Sequence, residues 1–178
     1  DMLDKAADSY PNKEVLVDGT SRLTYSQLRE KANRLAIGLI GLGVRPRDRV
    51  LLQLPNWSEF VYSYFALQKI GAIAVLLIPR HAQAEVNHFC SLTGAVAWIV
   101  PEKFRMTDYL PLINDVLGEN TNLKRVVLVR GEGNPRFLSL ENLVANAELS
   151  ESNLQKLARR RPNPMEVAHM GPTGGTTG

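Results

Sequence analysis

Cysteine is nearly absent: Cys90 is the only one in 178 residues. A lone thiol excludes an internal disulfide and a cysteine-built zinc site, and it fits a reducing compartment. Long apolar runs are also missing. The longest, residues 70–78, falls well short of the roughly 20 residues that a membrane-spanning helix needs. No signal-peptide pattern is visible in the first residues present, so the expected location is the cytoplasm, with no membrane partner. The first residue is Asp1, and the natural N-terminus is expected upstream. Formal net charge is only +3, too small to argue for nucleic acid without clustered Lys and Arg. The one basic run, Arg159, Arg160 and Arg161, reads as part of a solvated, proline-bounded loop. No internal repeat or low-complexity tract occurs.

What is present is an ordinary globular composition, with 44% hydrophobic and 22% charged residues, on a chain long enough for one sizeable core. Residues 15–17 and 22–25 flank an Asp18-Gly19 turn and read as a hairpin. Thr24 with Gln27 forms a capping box, and Leu28, Ala32, Leu35, Ala36 and Leu39 follow at helical spacing. A helix is therefore expected over about residues 25–42, stopped at Gly43. Apolar runs at residues 50–54, 72–79, 95–100 and 125–129 read as buried parallel strands. Helices are expected between them near residues 57–70, 84–92 and 109–117, with Asn56 capping the first of these. A short helix near residues 138–147 and a last strand at residues 165–170 complete the pattern. Strict alternation of strand and helix implies a mostly parallel sheet flanked by helices. Ligands of such sheets sit beyond the C-terminal ends of the strands.

The last strand leads into Gly171-Pro-Thr-Gly-Gly-Thr-Thr-Gly178. Glycines let backbone N–H groups turn inward around an anion, and threonine hydroxyls add donors. Thr173, Gly174, Gly175, Thr176, Thr177 and Gly178 are thus candidate phosphate-binding residues. On composition alone a flexible tail accounts for them equally well. A Walker loop would end in Gly-Lys-Ser/Thr, which this chain lacks.

Glu166-Val-Ala followed by Thr173–Gly178 resembles the phosphate-loop signature of the adenylate-forming superfamily, the acyl- and aryl-CoA synthetases and related AMP-binding ligases. Three further stretches fall in that family's order: residues 23–28 (LTYSQL), 43–56 (GVRPRDRVLLQLPN) and 65–77 (FALQKIGAIAVLL). Within the family, Gly174-Gly175 and residues 79–90 (PRHAQAEVNHFC) are most similar to aryl-acid-activating enzymes such as 2,3-dihydroxybenzoate–AMP ligases of siderophore assembly. The resemblance implies an N-terminal portion of the large AMP-binding domain, ending within the phosphate loop. The rest of that domain and the C-terminal lid domain, with its catalytic lysine, would lie beyond Gly178. It implies ATP with Mg²⁺, an aryl or acyl carboxylic acid as substrate, and coenzyme A or the phosphopantetheine of an aryl carrier protein as thiol acceptor. The 178-residue chain alone is expected to lack full activity. Gly171-Pro172 departs from the family, in which an apolar strand continues. Proline removes a ladder donor, so this strand should end early or lie at an edge.

The remaining residues divide between function and packing. His81, at a strand end, either lines the acid pocket or makes a loop contact. His88 and His169 lack metal-ligand partners at a recognisable spacing and read as structural, and no metal site is expected. Cys90, among apolar neighbours, reads as a buried structural thiol. Trp57, Phe60, Tyr64 and Phe65 form an aromatic stripe read as core. The alternative reading of the whole chain is a non-catalytic nucleotide-binding α/β module. A dinucleotide module would carry glycines after the first parallel strand, but residues 54–60 (LPNWSEF) have none.

Overall fold

A computed structural model describes residues 2–131 and 134–172. The chain opens on α1 (Met2–Ser9), followed by an antiparallel hairpin, β1 (Glu14–Asp18) and β2 (Ser21–Thr24). The order continues α2 (Tyr25–Gly41), β3 (Arg49–Leu52), α3 (Ser58–Lys69), β4 (Ile73–Leu76), α4 (Gln83–Thr93) and β5 (Ala97–Pro101). A small hairpin, β6 (Lys103–Phe104) and β7 (Thr107–Asp108), precedes α5 (Leu110–Glu119) and β8 (Arg125–Val129). Last come β9 (Leu138–Ser139), α6 (Leu140–Asn146), α7 (Glu151–Arg160) and β10 (His169–Met170).

Six strands form the central sheet in the order β10-β4-β3-β5-β8-β9, and every pairing in it is parallel. The expected fold class therefore holds. Side chains alternate across this sheet as the pleat requires. Val50, Leu52, Ala74, Ala97, Ile99, Val127 and Val129 face one core with α2 and α3. Leu51, Val75, Trp98, Val100, Val126 and Leu128 face a second core with α4 and α5. Both faces are dry, which is why these strands read as continuous apolar runs.

α2 forms as its sequence dictates. Thr24 and Gln27 close the capping box, Leu28, Ala32, Leu35, Ala36 and Leu39 are buried, and Gly43 turns away at φ 79°. No helix among the described residues is long and apolar enough to cross a membrane.

One helix was not expected, and three expectations need correction. The short α1 had no periodic signal; it forms because Leu3 and Ala7 are buried one turn apart, while Asp4 pairs with Lys69 at 2.6 Å and Arg161 at 2.9 Å. Residues 158–160 are not loop but the last turn of α7, where Arg159 and Arg160 complement the negative helix end. Arg160 also donates to the Val44 carbonyl at 2.7 Å. The last strand is only His169–Met170, not residues 165–170; as Gly171-Pro172 implies, it lies at the edge of the sheet and ends before Pro172, so no ladder donor is lost. Finally, Asn56 does not cap α3. Trp57 holds the cap position without a side-chain bond, and the Ser58 N–H is met by Asp18 Oδ2 from the hairpin at 3.0 Å.

That exchange makes a prediction. The Ser58 N–H, opposed by burial and helped by Arg130, holds the Asp18 carboxyl below its ordinary range. A lowered folded value means that stability is present at neutral pH and is lost as pH falls below about 4. Asp18→Asn should cost about 1 kcal/mol at neutral pH, the worth of a helix cap. It should also flatten the acid limb of stability measured by denaturant titration across pH.

Candidate functional site

All six strands of the parallel sheet end on one side, and the segments that leave them form that end of the molecule. β3 runs into residues 53–57, β4 into 77–81, β5 into Glu102, β8 into Arg130 and β10 into Gly171. The sequence-nominated loop, Thr173 to Gly178, lies outside the described residues. The strand that leads to it is described. β10 pairs with β4, His169 opposite Ala74 and Met170 opposite Val75. Ahead of it, Arg47 pairs with Glu166 at 2.8 Å, and the Ala168 carbonyl accepts from Ala74 N–H at 3.3 Å and Gln68 Nε2 at 2.8 Å. Tyr64 Oη and His169 Nδ1 lie 3.0 Å apart. The aromatic stripe of α3 is thus not uniformly core: Phe60 and Phe65 pack against the core, while Tyr64 also reaches β10.

His81 sits on the loop that leaves β4, the neighbour of β10. Its carbonyl accepts from Gln53 Nε2 at 3.0 Å, and the same amide donates to the Ile78 and Pro79 carbonyls at 3.2 and 3.4 Å. Tyr109 Oη donates to the Pro79 carbonyl at 2.9 Å. The imidazole stacks on Phe89 with ring centres 5.6 Å apart. Its Nδ1 is buried without a partner, and burial lowers its pKa, favouring the neutral ring. Gln53, fully buried, was the polar break in an apolar run and the signal that could have marked it.

Sequence reasoning also missed Arg130. It follows β8 in the left-handed region, at φ 53°. Its guanidinium grips Glu59 through two bonds, at 3.0 and 2.8 Å, contacts Asp18, and lies 4.1 Å from the Trp57 ring centre. Its own N–H donates to Glu141 Oε1 at 2.9 Å. One residue so ties β8 to the hairpin, α3 and α6. These partners are distant in sequence and no spacing announces them. Cys90 is buried, and its thiol is pushed up to about 11, which disarms it as a nucleophile. Among the described residues, no group of three or more His, Cys, Asp or Glu side chains is arranged to hold a metal ion.

Residues 3–178 match the AMP-binding enzyme family. The chain belongs to this family. It is 37% identical over its whole length to triostin synthetase I of Streptomyces triostinicus and 34% identical to the 2,3-dihydroxybenzoate-AMP ligase of Bacillus subtilis. The apo structure of MbtA from Mycobacterium smegmatis superposes on 99% of the chain with a TM-score of 0.81 and 32% identity. In each case the chain spans 31% of the relative's length.

Two of the stretches shared with the AMP-binding family lie at one end of the sheet. Residues 43–56 run through β3 to its exit, and residues 65–77 join α3 to β4 and its exit. Those two strands and β10 are consecutive neighbours in the sheet.

Proposed function

We propose that this chain is the N-terminal, phosphate-loop-bearing part of an ATP-dependent aryl-acid–AMP ligase, with the rest of the AMP-binding domain and a C-terminal lid domain supplied by a longer polypeptide. The observation that carries the reading is the placement of β10: a parallel edge strand leads toward Thr173–Gly178 beside the exit of β4, where ligands of such sheets bind. Support for the aryl acid comes from the similarity to a 2,3-dihydroxybenzoate-AMP ligase.

A carboxylate oxygen of the acid attacks the α-phosphorus of ATP. The bond from that phosphorus to the bridging oxygen breaks, giving acyl-adenylate and pyrophosphate. The N–H groups of residues 173–178 and the hydroxyls of Thr173, Thr176 and Thr177 hold the β- and γ-phosphates as charge builds on the leaving group. A thiol, of coenzyme A or of the phosphopantetheine on an aryl carrier protein, then attacks the acyl carbon and releases AMP. Magnesium arrives with the nucleotide, and the reaction runs in the cytoplasm. His81, kept neutral on the adjacent loop, faces the acid's surroundings rather than the phosphates in this reading. The test is exchange of label between pyrophosphate and ATP by the intact polypeptide, driven by aryl acids in preference to alkyl acids.

A further inference from the structure

β10 has a problem that its length creates. A strand of two residues makes few ladder bonds, and its backbone contact to β4 through the Ala168 carbonyl is a long 3.3 Å. Register in such a strand is weakly specified by the backbone. A slip of one residue would move everything beyond it by about 3.3 Å. The next residues are Gly171 and Pro172, and then the loop.

α3 supplies what the ladder does not. Tyr64 and Gln68 lie one turn apart on the same helix face. Gln68 holds the Ala168 carbonyl, a bond that any residue at position 168 would accept. Tyr64 holds His169 Nδ1 at 3.0 Å, with the two rings 5.9 Å apart and tilted by 58°. That second bond depends on the side chain. Of the residues that a one-step slip would bring to this position, Ala168 and Met170, neither carries a ring nitrogen. Tyr64 belongs to a helix packed against the main core, so the fixed point is rigid.

We infer that Tyr64 is a positioning residue for the nucleotide, acting through His169 to set the register in which β10 presents the phosphate loop. The inference rests on the phosphate-binding reading of Thr173–Gly178. Neither side chain touches the reacting atoms; their effect is on where the loop donors stand.

The test uses the intact ligase with Tyr64→Phe, His169→Ala, the double variant and His169→Asn. Phe keeps the ring packing of Tyr64, and the Asn side-chain nitrogen or oxygen takes the place of Nδ1. Each single loss should raise the KM for ATP about fivefold, the worth of one neutral hydrogen bond. The double variant should be no worse than either single, His169→Asn should restore the KM, and the KM for the acid and the thermal midpoint should stay put. Equal rises in both KM values, a fall in thermal midpoint that tracks the KM, or full additivity in the double variant would overturn the inference. Thr176→Ala run beside them separates the two failures. If it slows adenylation while Tyr64→Phe changes nothing, the positioning role alone is wrong. If it too changes nothing, the phosphate reading is wrong and this inference falls with it.

Discussion

Thr176→Ala should slow formation of the acyl-adenylate by about a hundredfold in the intact ligase, the usual cost of removing one donor from a developing negative charge. The same change should slow thiol transfer from preformed adenylate by no more than about threefold, because the β- and γ-phosphates have already left. The difference between the two half-reactions is the informative quantity. A loop that merely stabilised the fold would slow both alike. Single-turnover measurement of pyrophosphate release, and of transfer from synthetic adenylate, gives both numbers. Equal slowing of the two steps counts against the phosphate role.

The second large effect belongs to stability. Arg130→Ala removes the cation that, among the described residues, bridges Asp18 and Glu59, whose side chains are 17% and 13% exposed. Breaking a fully buried pair costs about 3–5 kcal/mol, and partial exposure brings the ionic share here to about 2. Loss of the contact with Trp57 adds about 0.5–1 kcal/mol, for a total of about 2.5–3. The backbone at this position sharpens the prediction. At φ 53° a non-glycine residue is strained, so Arg130→Gly should be about 1 kcal/mol less damaging than Arg130→Ala. Denaturant midpoints of the two variants decide it. Equal midpoints would remove the strain, and midpoints at the wild-type value would make the ionic knot ornamental.

Much of this architecture was legible because it is local. The capping box of Thr24 and Gln27, the buried stripe of α2 and the doubly buried strands each follow from a few consecutive residues. What escaped was made by pairs distant in sequence. Asp18 caps a helix that begins forty residues later, and Arg130, just past the end of β8, reaches the same carboxylate. α1 is too short for its pattern to show, and it depends on Lys69 and Arg161. The arginine run looked like linker because proline follows it at residue 162, yet the helix simply ends there. At the site, glycines and threonines nominate Thr173–Gly178 for phosphate binding, and those residues lie outside the described ones. Tyr64 and Gln68 were hidden inside an aromatic helix whose outward face has meaning only once β10 lies against it.

An acid-driven break at the α-phosphorus of ATP leaves a labelled trace. The intact polypeptide, incubated with ATP, labelled pyrophosphate and 2,3-dihydroxybenzoate or salicylate, should return label to ATP at a rate that depends on the acid, and acyl-AMP should be recoverable from the same mixture. Alkyl acids should support the exchange poorly. Release of ADP and phosphate, or exchange that proceeds equally well without any acid, would contradict the account.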